Sequence, residues 1–231
     1  MIHAVTRHRR SLVRPTLAAA VVFGAMALMS GSAVAASGGS PASGWHIGYY
    51  TPSPHGTLSN AQAASTANGF ASLNFTAAAN TALLYTDQKA QNPSLLGDLT
   101  GKTITANFTI TGVTGAFTYY GEPDACGTPA NTRLYFATSK AGGFAYTQYW
   151  WSHPASAVLS NGTFTVTATV EPSEWSDWNG QQGSTVPDGF AAAASNVMNF
   201  GLSFGGGCGF ENGVGTSDGS GTLTLNSFTA S

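Results

Sequence analysis

Along most of this chain, hydrophobic and polar positions alternate with the period of a β-strand, in short runs punctuated by glycine. The clearest runs are Thr103 to Ile110 and Thr163 to Val170, both rich in β-branched residues that suit a pleated surface. Gly112 and Gly115 break the pattern, and Ala116 to Tyr120 follows as the next strand. Thr132 to Thr138 and Phe144 to Trp151 read as a hairpin around Lys140-Ala141-Gly142-Gly143. Asn199 to Phe204 and Thr222 to Thr229 close the chain with the same period. Trp45 to Tyr50, Phe70 to Phe75 and Ala82 to Thr86 are weaker strand candidates. Helix is scarce. Pro172 to Trp178 resembles one or two helical turns, Pro187 to Val197 a short helix, and Ala61 to Ala67 a weaker one. Many short strands, glycine-rich turns and no βαβ rhythm predict an all-β antiparallel sandwich or barrel, with a jelly roll the best specific match.

The first thirty-six residues break this pattern and read as a secretory signal peptide. Arg7, Arg9, Arg10 and Arg14 form a basic start, Thr16 to Met29 is apolar, and Ala33-Val34-Ala35 offers small residues for cleavage. The apolar stretch is short for a membrane span, which needs about 20 residues. Arg9-Arg10 followed by Ser11-Leu12-Val13 also resembles a twin-arginine signal, which would carry a folded protein. Residues 37–43 then read as a flexible leader, and 44–231 as one domain.

Removing the signal changes the charge. All ten acidic residues lie beyond it, against four basic ones (Lys89, Lys102, Arg133 and Lys140), so the remainder carries a formal −6 rather than −2. An acidic, lysine-poor surface excludes the usual nucleic-acid binders and disfavours docking on anionic lipid. Cys126 and Cys208 are the only cysteines, and an even count in an exported chain predicts a disulfide.

Candidate chemistry clusters around the aromatic residues. Tyr149-Trp150-Trp151-Ser152 puts two adjacent Trp on a strand, so one fills the core and the other faces outward or lies under a loop. Trp175-Ser176-Asp177-Trp178-Asn179 holds two more Trp at i, i+3, which on a helical turn would share one side. Tyr119-Tyr120 leads into a turn carrying Glu122 and Asp124. Flat rings beside Asp177 and Asn179 are what a sugar site needs, because a ring covers the C–H face of a pyranose while polar groups take its hydroxyls. The candidate ligand-binding set is therefore Trp150, Trp151, Trp175, Trp178, Tyr119, Tyr120, Asp177 and Asn179; the competing reading is that these rings seal the core.

Signals for catalysis are thin. Glu122 with Asp124, and Glu171 with Glu174, are carboxylate pairs without a motif that fixes their separation. Gly205-Gly206-Gly207 lacks the Lys-Ser/Thr ending of a phosphate loop. His46, His55 and His153 are far apart in sequence and form no zinc pattern. No cofactor is expected; Glu211, Asn212 and Asp218 offer oxygen ligands to Ca²⁺, but at no EF-hand spacing.

The Trp-Trp-Ser strand at 150–152, the Trp-Ser-Asp-Trp-Asn-Gly turn at 175–180, the Gly-Leu-Ser-Phe-Gly-Gly-Gly-Cys run at 201–208 and Gly-Thr-Leu-Thr-Leu-Asn-Ser-Phe at 221–228 resemble uncharacterised secreted bacterial proteins. Those look like carbohydrate-binding modules of the galactose-binding-like jelly-roll type. The resemblance spans about Leu84 to Ser231, implies a β-sandwich and glycan binding, and transfers no catalytic residue. The expectation is a monomeric, extracytoplasmic, non-catalytic sandwich binding polysaccharide. The alternatives are a secreted glycan hydrolase or lyase, and an envelope protein with no small ligand.

Overall fold

A computed structural model of the chain describes residues 42–51, 57–65, 70–138 and 144–231. The predicted signal, most of the leader and the hairpin tip at 139–143 lie outside them. The described residues form a β-sandwich of two antiparallel sheets, a layout consistent with a jelly roll. The larger, ten-stranded sheet runs in the order β12 (Trp175–Asp177), β9 (Tyr149–Ser152), β8 (Asn131–Ala137), β13 (Asn199–Gly205), β5 (Thr81–Thr86), β1 (Trp45–Thr51) and β2 (Thr57–Gln62). Three short strands flank this path: β10 (Ala157–Val158) pairs with β8, and β14 (Val214–Thr216) pairs with β5 and with β7 (Phe117–Tyr119). The smaller sheet runs β11 (Gly162–Thr169), β6 (Thr103–Thr111), β15 (Thr222–Ala230), β4 (Ala71–Asn74) and β3 (Ala64–Ser65).

The two sheets use their outer faces differently, and the sequence pattern says why. In β6, Ile104, Ala106, Phe108 and Ile110 are all sealed in the core, while the intervening residues reach solvent. That alternation is the mark of a sheet covered on one side only. Its outer face is a field of hydroxyls and amides, in which Thr105 meets Thr167 and Thr109 meets Thr163 at 3.2 Å each. In β8, by contrast, every residue is buried. Leu134 and Phe136 belong to the main core, whereas Tyr135 and Ala137 join a second apolar cluster with Leu83, Tyr85 and Trp151. The larger sheet is thus covered on both faces.

One row of paired residues crosses that second face. His46 pairs with Tyr85, Tyr85 with Gly201, Gly201 with Tyr135, Tyr135 with Trp151, and Trp151 with Ser176. Gly201 sits between two tyrosines where a Cβ would collide with the Leu84 carbonyl, so this crossing tolerates no side chain.

The strand candidates of the sequence are present, and β8 and β9 pair antiparallel as the hairpin reading requires. Two helix candidates are strands instead. Trp175–Asp177 pairs with β9, and Thr57–Gln62 and Ala64–Ser65 form β2 and β3. In the first case pairing with the edge of the sheet outweighs a weak local preference: it sends Trp175 inward and donates its indole N–H to the Thr169 carbonyl at 2.7 Å. Phe144 to Gln148 does not extend β9; Tyr146–Gln148 is a single 3-10 turn. The third helix candidate does form: α1 (Pro187–Ala194), before β13, has Pro in its first turn and Phe190 against Trp150 at 5.0 Å between ring centroids.

Candidate functional site

The second face of the larger sheet carries a cavity of about 320 Å³, at the low end of the range for small-ligand pockets. Tyr50, Trp151, Trp178, Asn179, Phe210 and Glu211 give it its chemistry. The strands supply the floor. Because β9 alternates, Trp150 enters the main core and Trp151 enters the second cluster, against Tyr135 at 5.4 Å and Trp178 at 5.7 Å. Trp178 is the exposed member, at 47% of its surface.

A turn after β12 holds Trp178 and Asn179 in place. Asp177 is wholly buried, and its Oδ1 accepts the backbone N–H groups of Asn179 and Gln181, both at 2.9 Å. Asp177 therefore shapes the rim without lining it. Replacing it with Ala should lower the unfolding free energy by roughly 1–2 kcal/mol, since two backbone donors lose their acceptor. Urea unfolding checks this; an unchanged midpoint would show that the turn holds itself.

The other wall is the loop after β13. Cys126 and Cys208 form a disulfide, with Cα atoms 5.3 Å apart. Asp124 ties the same point: its carboxylate accepts the N–H of Cys208 at 2.7 Å, Cys126 at 3.0 Å and Gly127 at 3.2 Å. These bonds, that of Cys208 first, hold the Asp124 carboxyl below its ordinary range. Gly207, at φ +58°, lets the backbone approach so closely that a Cβ would strike Asp124. Asn212 then bridges the loop, accepting from the Gly206 N–H at 2.8 Å and donating to the Tyr120 carbonyl at 2.7 Å.

This loop lays Phe210 and Glu211 over the strands. The Phe210 ring sits above the Arg133 guanidinium at 4.7 Å and beside Trp151 at 6.0 Å. Arg133 spans beneath it to the Ser152 carbonyl at 2.8 Å. Glu211 is half-buried as a residue, yet its Oε2 is out of solvent and has no hydrogen-bond partner. Its Oε1 receives only a long bond from the Tyr50 hydroxyl, 3.4 Å. Burial pushes this carboxyl up to about 8, so it carries a proton at neutral pH. The Trp151 indole N–H is likewise buried without a partner. A neutral acid and an orphan N–H thus lie on residues that line one aromatic cavity, both atoms sealed from solvent.

Of the residues singled out in the sequence, Trp151, Trp178 and Asn179 come together at the cavity. Trp150 and Trp175 are fully buried in the main core against Phe136. Tyr119 is buried in that core too, and Tyr120 contributes its carbonyl to the loop. Sequence reasoning missed Tyr50 and Phe210, and singled out Glu211 only as an oxygen ligand for Ca²⁺, a role apart from this aromatic cavity. Phe210 and Glu211 lie two and three residues after Cys208, and this neighbourhood was the one available signal for Phe210.

The carboxylate pairs do not converge on the cavity. Glu174 accepts the Thr169 N–H at 2.7 Å at the edge of the sandwich. Of the proposed Ca²⁺ ligands, Asn212 is occupied within the loop, and Asp218 bonds Thr114 and Ser220 in a different turn. Asp124 lies beside both cysteine sulfurs, but those are bonded to one another. No family model, curated protein or solved structure matches this chain. Among the described residues, no helix is long and apolar enough to cross a membrane.

Proposed function

We propose that this chain is a secreted, non-catalytic glycan-binding β-sandwich of the jelly-roll kind, which takes a sugar in the cavity beside Trp151 and Trp178. The observation that carries this reading is the exposed face of Trp178 at a pocket that Tyr50, Trp151, Asn179, Phe210 and Glu211 also line. Trp178 offers an exposed face for stacking, and Asn179 and Glu211, which line the same pocket, suit hydroxyls. The lining contains no lysine or arginine, which fits an uncharged ligand rather than a phosphate. The disulfide fits an extracytoplasmic setting.

An enzymatic reading has less support. Glycosidases of the usual kind need two carboxyls within about 10 Å of each other across the scissile bond. Among the described residues, Glu211 is the one carboxyl lining the cavity. A purely structural role leaves the exposed Trp178 without a purpose.

Affinity electrophoresis of the full chain in gels containing xylan, mixed-linkage β-glucan, glucomannan or pectin, with pull-down on cellulose and chitin, tests the proposal. At least one polysaccharide should retain the wild type, and Trp178→Ala should weaken that retention about tenfold. Trp175→Phe, altered in the core, serves as the control for general damage. A wild type retained by none of these glycans would overturn the reading.

A further inference from the structure

Beyond the cavity, the same face carries a second aromatic surface that the pocket does not include. Phe144 is 57% exposed and Tyr146 49%, and both adjoin Trp178 or its neighbours. Phe144 meets Trp178 at 5.7 Å, Tyr146 at 5.4 Å and Tyr149 at 5.8 Å, while Tyr149 meets Trp178 at 5.6 Å. Trp178 thus belongs to both features: it touches Trp151 on the cavity side and Phe144 on the other. The result is a continuous path of rings from a recess to an open platform.

Hydrogen bonds tie the segment from Ala145 to Gln148 to its surroundings. The Gln148 N–H bonds the Ala145 carbonyl at 3.1 Å, and the Gln148 side chain returns to accept the Ala145 N–H at 3.1 Å. The Trp178 N–H reaches the Tyr146 carbonyl at 3.4 Å, and the Thr138 N–H reaches the Gln148 carbonyl at 3.0 Å. From below, the core residue Trp150 donates its indole N–H to the Thr147 carbonyl at 2.8 Å. A segment this well anchored has every opportunity to bury its rings, yet two of them stay about half exposed. Clustered, exposed aromatic surface of this kind marks a place where something binds.

We infer that Phe144 and Tyr146 extend the cavity into a multi-residue cleft for a glycan chain, so that the protein recognises a run of sugar units rather than a single one. This inference rests on the glycan-binding reading above. One pyranose covers roughly one ring face; Trp178, Phe144 and Tyr146 are the three exposed rings of the path, packed edge to face with Phe144 between the other two. Asn179, which lines the cavity beside Trp178, adds a neutral group that matches sugar hydroxyls. Phe144 and Tyr146 supply stacking that only a ligand longer than the cavity can reach.

Calorimetric titration tests this with di- to hexasaccharides of whichever polysaccharide retains the full chain. Wild-type affinity should rise with length, and Phe144→Ala/Tyr146→Ala should lose about tenfold for the hexasaccharide while the disaccharide changes little. Both rings are about half exposed and lie outside the buried core clusters, so a melting temperature close to that of the wild type is expected and verifies folding. Affinity that is flat with length, or a length dependence untouched in the double variant, overturns the extended cleft and leaves the cavity standing. A wild-type dimer that the double variant converts to monomer, with glycan affinity unaffected, also overturns it, because the platform then binds a second copy. Absence of any glycan binding removes the underlying reading as well.

Discussion

Replacing Cys126 and Cys208 together by serine is expected to lower the unfolding free energy by about 4–5 kcal/mol. The two residues are separated by 82 positions, and a cross-link closing a loop of that size restricts the unfolded chain by about this much in the chain-entropy account. Against a typical total of about 5–15 kcal/mol, such a loss leaves the domain marginal at body temperature. The bridge also has a local task. It tethers the strand-to-strand loop that carries Phe210 and Glu211, and Cys208 itself lines the cavity. Glycan retention should therefore fall in the serine variant even at temperatures where it stays folded. Urea unfolding of the oxidised wild type and the double variant measures the first effect, and affinity electrophoresis the second. Equal unfolding midpoints would mean that Asp124 and Asn212 hold the loop without help, and that the bridge is incidental. The same measurement bears on export: a domain carrying a functional twin-arginine signal must fold before its disulfide can form, so it must retain a folded state when reduced.

The second large effect concerns Glu211. Its carboxyl is raised by burial from an ordinary 4.5 to about 8. The native state therefore keeps a proton that the unfolded chain releases at much lower pH. The stabilisation this gives is complete below about pH 4.5, declines as pH rises, and is gone above about pH 8. The full difference corresponds to at most about 5 kcal/mol, and partial exposure of the residue reduces it to roughly 2–3. Glu211→Gln mimics the neutral acid at every pH. It should match the wild type near pH 4 and exceed it by roughly 2–3 kcal/mol at pH 9. Denaturant unfolding of both proteins at pH 4, 6.5 and 9 decides the matter. Parallel pH profiles would show that Glu211 ionises freely in the folded protein.

How legible each part was follows from the kind of signal it left. The smaller sheet could be read almost directly, because β6 and β11 each face solvent on one side and so alternate cleanly. The larger sheet was harder. In β8 and β13 both faces are covered, so Thr132 to Thr138 mixes polar and apolar residues without a clean alternation, and in Asn199 to Phe204 the alternating Gly201 and Ser203 are buried like their apolar neighbours; each run names a strand without naming its faces. The same loss of contrast hid which Trp of the 150–151 pair would reach a ligand. Pro172 to Trp178 misled because helical spacing looked adequate locally, while the partner that makes it a strand lies more than twenty residues away in β9.

By itself the sequence determined the all-β class, the acidic balance beyond its basic start, and an even pair of cysteines from which a bridge was expected. These depend on local periodicity and on counting, which survive without knowledge of neighbours. The tertiary structure alone decided that Trp150 and Trp175 fill the core while Trp151 and Trp178 turn to the opposite face. It alone placed Tyr50 from the first strand, Phe210 and Glu211 from a late loop, and Trp178 from a turn around one cavity. The reason is that burial, and with it the protonation of Glu211, is a property of what several distant segments jointly exclude from water. No segment of the chain carries that information on its own.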